Sequence, residues 1–202
     1  MSNEKQVDSG RRVLLGATCV AGATVAGATG LALVSTFQPS EKAKAAGAPV
    51  EVDIAGMADG EMRTVEWRGK PVWILKRSKE MQASVPKLDA LVADPKSERA
   101  PDMLTPEYAR NELRSIKPEY LVAVGICSHL GCSPTSKFTE GPQPNLPDDW
   151  KGGFLCPCHG STFDLAGRVF KNVPAPDNLE VPRHMYMGES KLIIGKDEKG
   201  EA

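Results

Sequence analysis

Two short segments, CSHLGC at residues 127–132 and CPCHGS at residues 156–161, carry most of the reactive side chains in this sequence. Together they contain four of the five cysteines and two of the three histidines in the 202-residue chain. Each segment supplies one cysteine and one histidine at short spacing, followed or interrupted by a second cysteine. The sequence therefore predicts two matched half-sites, and the fold has to bring them together.

The first half-site is Cys127 with His129, and the second is Cys156 with His159. Two thiolates and two imidazoles can hold either a tetrahedral zinc ion or a two-iron cluster with mixed ligands. Zinc fingers of the Cys2His2 kind usually group cysteines with cysteines and histidines with histidines, whereas each segment here has one of each. This distribution favours a two-iron centre with a cysteine pair on one iron and a histidine pair on the other.

At these residues the sequence resembles the Rieske iron–sulfur family, and the resemblance implies one 2Fe-2S cluster on those four ligands. The extra cysteines, Cys132 and Cys158, make the match closest to the respiratory branch, the subunits of bacterial cytochrome bc complexes. In that branch the pair forms a disulfide that clamps the two cluster loops, and the resemblance implies the same pairing here. Two free buried thiols are the alternative, but disulfides persist mainly in oxidising compartments.

The resemblance also assigns roles to residues around the cluster. It implies that Leu130 and Gly131 shield the iron, and that Pro174, in a Pro-Ala-Pro run, helps to close a third side. The Pro-Ala-Pro run taken alone also fits an irregular turn. Ser161 is expected to donate a hydrogen bond to sulfur, which stabilises the reduced cluster. Relatives with high potential have Tyr where this chain has Phe163, so a lower midpoint potential is expected.

The function implied by the resemblance is oxidation of ubiquinol within a quinol-cytochrome c reductase. His159 would receive the hydrogen bond of the quinol hydroxyl, and His129 would be the second exposed imidazole. Cytochrome b would supply the quinol pocket, a c-type cytochrome would accept the electron, and the complex, expected to be dimeric, would contribute to proton translocation. The implied midpoint potential falls as pH rises above neutrality. The third histidine, His184, lies outside both segments and is expected to be structural.

The N-terminal region predicts membrane attachment. No charged residue occurs from Val13 to Phe37, and at ~1.5 Å per residue this stretch is long enough to cross a hydrocarbon core of about 30 Å. Arg11 and Arg12 directly precede it and resemble a twin-arginine export signal. A retained anchor, a signal peptide cleaved near residues 43–46 and a buried core helix are the three interpretations, and the resemblance favours the anchor.

The predicted organisation follows from these segments. Residues 1–12 form a cytoplasmic N-terminus, 13–37 a single transmembrane anchor, 38–49 a flexible hinge linker, and 50–202 a periplasmic Rieske domain at the bacterial inner membrane. The polar lead with its basic residues places the N-terminus in the cytoplasm. The linker is rich in alanine and small polar residues.

Residues 50–202 predict a mostly β, antiparallel Rieske-type domain with a cluster-binding subdomain. Short apolar or alternating runs are separated by Gly, Pro, Asn and Asp turns. A helix is predicted from Thr105 to Arg114, and Ser78 to Leu91 holds at most two short helices because of Pro86. The predicted strands are Pro49–Ile54, Met62–Trp67, Lys70–Lys76, Tyr120–Ile126, Gly153–Leu155, Thr162–Leu165, Arg168–Phe170, Leu179–Val181, His184–Met187 and Lys191–Ile194.

Other functional classes remain open at this level. A Rieske protein acting alone as an electron carrier, or as the small subunit of an enzyme of the arsenite oxidase type, would share the cluster and the export signal. A structural zinc protein would have neither colour nor redox chemistry. The net charge of −1 argues against nucleic acid, and no phosphate loop is present. The loop Ser133–Trp150 is either a partner contact or a tolerated insertion.

Overall fold

The computed structural model describes residues 8–99 and 104–200, which fall into two units, residues 8–45 and 46–200. Residues 1–7 of the predicted cytoplasmic segment 1–12 lie outside the described residues. The same holds for residues 100–103 and for the last two residues of the predicted domain 50–202.

The N-terminal unit consists mainly of one helix, α1 (Ser9–Ser35). Asp8 caps it by accepting hydrogen bonds from the backbone N–H groups of Gly10 and Arg11. Hydroxyl groups along the helix bond back to carbonyl oxygens, as Thr24 does to Val20 at 2.8 Å, so they need no water. In the described part of the chain, this one helix is long and apolar enough to cross a membrane. A short helix, α2 (Glu41–Ala46), follows within the predicted linker.

The second unit contains nine strands in the described residues, all paired antiparallel in three sheets. The sheets have the strand orders β1-β9-β8, β2-β3-β4 and β5-β6-β7. The strands are β1 (Val50–Asp53), β2 (Met62–Trp67), β3 (Lys70–Lys76), β4 (Tyr120–Val124), β5 (Thr135–Lys137), β6 (Gly153–Leu155), β7 (Thr162–Asp164), β8 (His184–Met187) and β9 (Lys191–Ile194).

The sheet β2-β3-β4 lies in the middle, because both faces of β3 and β4 are buried. Alternate side chains of a strand point to opposite faces. Val72 and Ile74 accordingly pack in a core shared with β1 and β9, whereas Trp73 and Leu75 pack in a core shared with the small sheet β5-β6-β7. The Trp73 ring stacks on Phe154 of β6 with 4.9 Å between centroids. This second core, between the central and the small sheet, also contains the buried residues of the two predicted half-sites.

Helical segments are few and short in this unit. The chain forms α3 (Lys79–Ser84) and a 3-10 turn at Pro86–Leu88, which agrees with the two short helices predicted around Pro86. The predicted helix from Thr105 to Arg114 is wrong, because only a 3-10 turn at Glu107–Ala109 forms there. Arg114 adopts φ 49°, a left-handed conformation that a continuing α-helix does not allow.

Two predicted strands are also absent from the described fold. Val169 and Phe170 make only isolated bridges, to Phe163 and Val92 respectively. The backbone of 179–181 bonds to three separate segments, at Gly167, Leu104 and Val124, instead of following one neighbouring strand. Local apolar patterns cannot distinguish such a buried irregular segment from a strand. Strand β5, within the loop Ser133–Trp150, was not predicted.

Candidate metal centre

The first cysteine-histidine segment is a closed loop that follows β4. The Cys127 N–H donates to the Cys132 carbonyl at 2.8 Å, and the Gly131 N–H donates to the Cys127 carbonyl at 3.1 Å. Gly131 has φ 82°, a left-handed conformation that favours glycine. These bonds turn the chain back on itself and leave the Cys127 side chain in the core, 2% exposed.

The second segment connects β6 to β7 and repeats this backbone pattern. The Cys156 N–H donates to the Ser161 carbonyl at 2.7 Å, and the Gly160 N–H donates to the Cys156 carbonyl at 3.0 Å. Gly160 has φ 76°, and the Cys156 side chain is again 2% exposed. We call residues 127–132 and 156–161 the first and second cluster loops.

The two loops bring the four predicted ligands together in two pairs. The Cys127 and Cys156 thiols are in contact with each other below the surface, and neither belongs to a disulfide. The imidazole rings of His129 and His159 meet edge to face, with 4.8 Å between centroids and 85° between planes. His159 is exposed and His129 half-buried. Sulfur ligands thus lie inside and nitrogen ligands outside, a division that fits a two-iron cluster with cysteines on one iron and histidines on the other.

The disulfide predicted from the resemblance is present in the structure. Cys132 and Cys158 are bonded, and they join the last residue of the first loop to the middle of the second. The Cys156 sulfur lies within 4.8 Å of both. These three sulfurs do not form a metal site of their own, because two of them are joined in the disulfide. Cys19 is exposed on α1 and has no part in the loops.

Some groups around the Cys127 sulfur raise the pKa of the thiol and others lower it. Burial raises the pKa of the Cys127 thiol, whereas hydrogen bonds from the His129 N–H and the Ser161 hydroxyl lower it. Ser161 is fully buried, and its oxygen accepts a hydrogen bond from the Ala175 N–H at 3.0 Å. With this N–H on its oxygen, the Ser161 hydroxyl can direct its hydrogen toward the sulfur. The predicted effect of Ser161 on the reduced cluster stays a prediction.

The segment from Pro174 to Leu179 runs beside both cluster loops, and we call it the cover segment. It bonds to the second loop through Ala175, and to the first through Ser128, whose hydroxyl donates to the Asp177 carbonyl at 2.7 Å and accepts from its N–H at 3.3 Å. Sequence reasoning missed Ser128 and Asp177, because neither belongs to a recognisable spacing.

The other predicted site residues are found at or near these loops. Leu130, which is 71% exposed, follows His129 in the first loop. Phe163 is fully buried in β7, in the core that contains both ligand cysteines. His184 is outside the site, in β8, where burial lowers its pKa to about 4 and its Nδ1 lies 2.8 Å from the Pro182 carbonyl.

Comparisons with known proteins match these features. The sequence profile of the Rieske [2Fe-2S] domain matches residues 110–184, which include both cluster loops. The ubiquinol-cytochrome c reductase iron-sulfur subunit of Allochromatium vinosum is 55% identical over 187 residues, covering 93% of this chain and 88% of that protein. The subunit of the same name from Bradyrhizobium diazoefficiens is 37% identical over 187 residues, covering 92% and 94%. Among solved structures, a chain of a hyperthermophilic respiratory complex III aligns at 23% identity and TM-score 0.45, covering 89% of this chain and 98% of its own.

Proposed function

Because the chain belongs to the family of Rieske iron-sulfur subunits of ubiquinol-cytochrome c reductase, we propose that it takes an electron from ubiquinol and passes it to a c-type cytochrome. Family membership makes the chain a component of an oxidoreductase complex, the cytochrome bc complex, with one Rieske 2Fe-2S cluster. The observation that supports the detailed proposal is the pair of touching imidazoles at the exposed side of two buried thiols.

In this proposal Cys127 and Cys156 would hold one iron of the cluster and His129 and His159 would hold the other. When bound, the cluster accepts and gives up one electron. The thiols lie where water is excluded, and the Ser161 hydroxyl and the His129 N–H contribute hydrogen bonds to the Cys127 sulfur. Such bonds stabilise negative charge on sulfur, so they favour the reduced state.

The histidines face the partner side of the site. We assign to His159, the more exposed of the two, the acceptance of a hydrogen bond and then a proton from the quinol hydroxyl. The accepting atom is the ring nitrogen that does not bind iron. Leu130, Gly131 and Pro174 are all exposed, so they would shield the imidazoles only where a partner covers them. The exposed Leu130 side chain offers such a partner an apolar surface next to His129. Cytochrome b would then contribute the rest of the quinol pocket.

The membrane arrangement extends this proposal. Helix α1 anchors the protein, with residues 1–12 on the cytoplasmic side and the Rieske domain in the periplasm of a bacterium. The linker 38–49 would act as the hinge that lets the domain move from cytochrome b to the cytochrome acceptor in a dimeric complex. Short-range electron transfer makes such movement useful.

The first test is electron paramagnetic resonance of the reduced full chain in its membrane complex, with iron and zinc analysis of the same sample. A rhombic signal with two irons per chain is the expected result, since mixed sulfur and nitrogen ligation makes the two irons unequal. A silent spectrum with bound zinc would refute the ligand assignment.

The second test separates function from ligation. The complex is mixed rapidly with a ubiquinol analogue, and cluster reduction is followed together with reduction of the c-type cytochrome. We expect the cluster to be reduced before the cytochrome. Cytochrome reduction at the full rate in a His159→Gln variant that has lost the cluster would contradict the proposed electron path.

A further inference from the structure

Three arginines are completely enclosed in the domain, and they differ in their partners. Arg168 is paired with carboxylates, at 2.7 Å from Asp164 and 2.6 Å from Asp89. All the hydrogen bonds described for the Arg77 and Arg114 side chains go instead to carbonyl and hydroxyl oxygens. Lysine and arginine are seldom fully buried without a paired charge. Burial lowers the pKa of both arginines to about 10, so both are still cations at neutral pH.

Arg114 connects parts of the chain that are far apart in sequence. Its guanidinium donates five hydrogen bonds, two to hydroxyl groups and three to backbone carbonyls. The acceptors are Ser97 Oγ at 2.8 Å, Thr105 Oγ1 at 2.7 Å, and the carbonyl oxygens of Ala166 at 3.0 Å, Gly167 at 3.2 Å and Leu179 at 2.7 Å.

The carbonyl partners of Arg114 belong to two segments that follow the second cluster loop in the chain. Ala166 and Gly167 form the turn after β7, and Leu179 ends the cover segment. The Leu179 N–H also donates to the Gly167 carbonyl at 2.8 Å, so the turn and the cover segment are joined directly. Arg114 therefore bonds to the turn after β7 and to the end of the cover segment at the place where the two are joined.

A second connection runs through Ser97. Its hydroxyl oxygen accepts from Arg114 and also from the Asn178 side chain at 3.2 Å. Asn178 lies in the cover segment, one residue before Leu179, and its side chain also accepts from the Val169 N–H at 2.9 Å. The C-terminal end of the cover segment is thus fixed by Arg114 directly and through Ser97.

The other end of the cover segment is bound to the cluster loops. Ala175 donates to the Ser161 hydroxyl oxygen, and Ser161 is the side chain that bonds to the Cys127 sulfur. A displacement of the cover segment would move the Ala175 N–H away from Ser161 and leave the hydroxyl free to rotate. The position of Arg114 is in this way linked to the hydrogen bond at the ligand sulfur.

The backbone at Arg114 indicates that this arrangement is strongly constrained. Arg114 and its partner Ser97 have φ 49° and 55°, in the left-handed region that residues other than glycine seldom adopt. Such conformations persist only where the surrounding contacts over-determine them. Gly167 also packs tightly here, since a Cβ atom at that position would lie 3.2 Å from Arg114 Nη1.

We propose that Arg114 is a positioning residue, which sets the reduction potential of the bound cluster by holding the cover segment, and through it the Ser161 hydroxyl, against the Cys127 sulfur. This inference rests on the proposed ligand set. It predicts that loosening Arg114 removes part of the hydrogen bond that favours the reduced cluster, and so lowers the midpoint potential.

The test uses Arg114→Lys, which keeps the positive charge but loses the planar guanidinium, whose N–H groups bond to several oxygens at once. The full chain is measured in its complex by a redox titration followed by electron paramagnetic resonance. We expect a lower midpoint potential, and on the order of tenfold faster amide exchange by mass spectrometry in peptides that span residues 174–179.

A double mutant identifies the route of the effect. In a Ser161→Ala background the hydroxyl is already missing, so Arg114→Lys should lower the potential by much less than it does in the wild-type chain. Equal shifts in the two backgrounds would refute the link through Ser161.

Arg77→Lys is the matched control. Arg77 is also fully buried and bonds to carbonyl and hydroxyl oxygens, but none of its described bonds reaches the cover segment. We expect it to lower the thermal stability by a similar amount while leaving the midpoint potential and the exchange at 174–179 unchanged. A potential shift equal to that of Arg114→Lys would show general loosening and overturn the proposal.

Ser97→Ala is a milder variant for the case in which Arg114→Lys does not accumulate. It removes the hydroxyl that joins Arg114 to Asn178, and we expect a smaller shift in the same direction. Unchanged potential and exchange in Ser97→Ala, with a normal Rieske signal, would overturn the positioning role alone. Absence of that signal from the wild-type chain would instead refute the proposed function.

Discussion

The two cluster loops have the same backbone closure but different side chains at the equivalent positions. In each, the first residue is a buried cysteine, Cys127 or Cys156, whose N–H donates to the carbonyl of the sixth residue. In each, the fifth residue is a glycine with positive φ, Gly131 or Gly160, whose N–H donates back to the cysteine carbonyl. The shared pattern therefore fixes one sulfur inside the core per loop.

The differences lie at the positions that the closure leaves free. The histidine is the third residue of the first loop, His129, but the fourth residue of the second, His159. The sixth residue is Cys132 in one loop, where it bonds to Cys158, and Ser161 in the other, where it bonds to the ligand sulfur. At the sixth position the first loop thus has one half of the disulfide, whereas the second has a hydroxyl that bonds to the ligand sulfur of the first.

The strongest challenge to the equivalence of the loops is removal of their first residues. We expect Cys127→Ser and Cys156→Ser each to abolish the cluster, because a thiolate ligand to iron is lost in both cases. Iron content and the paramagnetic signal of the purified complex measure the result. Cys19→Ser is the control and should bind iron normally, since Cys19 is an exposed cysteine of α1 and belongs to neither loop. A Cys156→Ser chain that keeps its cluster would show that the first residues of the two loops are not equivalent ligands.

Loss of the clamp should have the next largest effect. The Cys132–Cys158 disulfide spans 26 positions, and its removal by the double change to Ser should destabilise the domain by about 3.5 kcal/mol on the chain-entropy model. Cluster loss during denaturant titration of the solubilised protein measures this change. Wild-type resistance to denaturant in the double variant would show that the loops hold together without the clamp.

The role assigned to the sixth residue of the second loop is tested by Ser161→Ala. A hydrogen bond that is stronger by about 1.4 kcal/mol in the reduced than in the oxidised state corresponds to about 60 mV for one electron. We therefore expect the midpoint potential to fall by roughly this amount. Titration of the variant and the wild-type complex at one pH gives the comparison, and an unchanged potential would remove the redox difference between the loops.

Phe163→Tyr should act in the opposite direction. The new hydroxyl would be buried in the core that contains both ligand cysteines, where a hydrogen bond to sulfur raises the potential by about 60 mV or less. The same redox titration measures it. A potential that stays the same or falls would show that the ring does not direct its para position toward a ligand sulfur.

The smallest expected effect is also the most direct comparison of the two closures. An added Cβ at Gly131 or Gly160 meets no atom within 4 Å, so only the positive φ penalises alanine. We expect Gly131→Ala and Gly160→Ala each to lower the free energy of unfolding by about 1 kcal/mol. Denaturant titration measures both variants. If their losses of unfolding free energy are clearly unequal, the two loops share the same hydrogen bonds but differ in the energetic cost of the positive φ.

The secondary structure could be predicted from the sequence wherever it depends on residues that are neighbours in the chain. The hairpin at Arg68 and Gly69 follows from local turn chemistry, and both residues have positive φ, as such a turn requires. The buried runs of β3 and β4 were recognisable because strands covered on both faces are apolar throughout. The segments 168–170 and 179–181 were mispredicted because their backbone groups bond to several separate segments, which no local pattern records. The segment 105–114 instead makes only short turn bonds, and its last residue, Arg114, has a left-handed backbone that ends any helix there.

The sequence by itself limited the cofactor to a zinc ion or a two-iron cluster and favoured the cluster, because each short loop has one cysteine and one histidine, and the resemblance to the Rieske family implied the 2Fe-2S cluster. It also determined the apolar helix and the mostly β class, which depend on composition and local periodicity. Only the tertiary structure decided how the site is held in place. The contacts of Arg114 join residues from 97 to 179, and a buried arginine gives no sign in the sequence of which carbonyl oxygens it will meet.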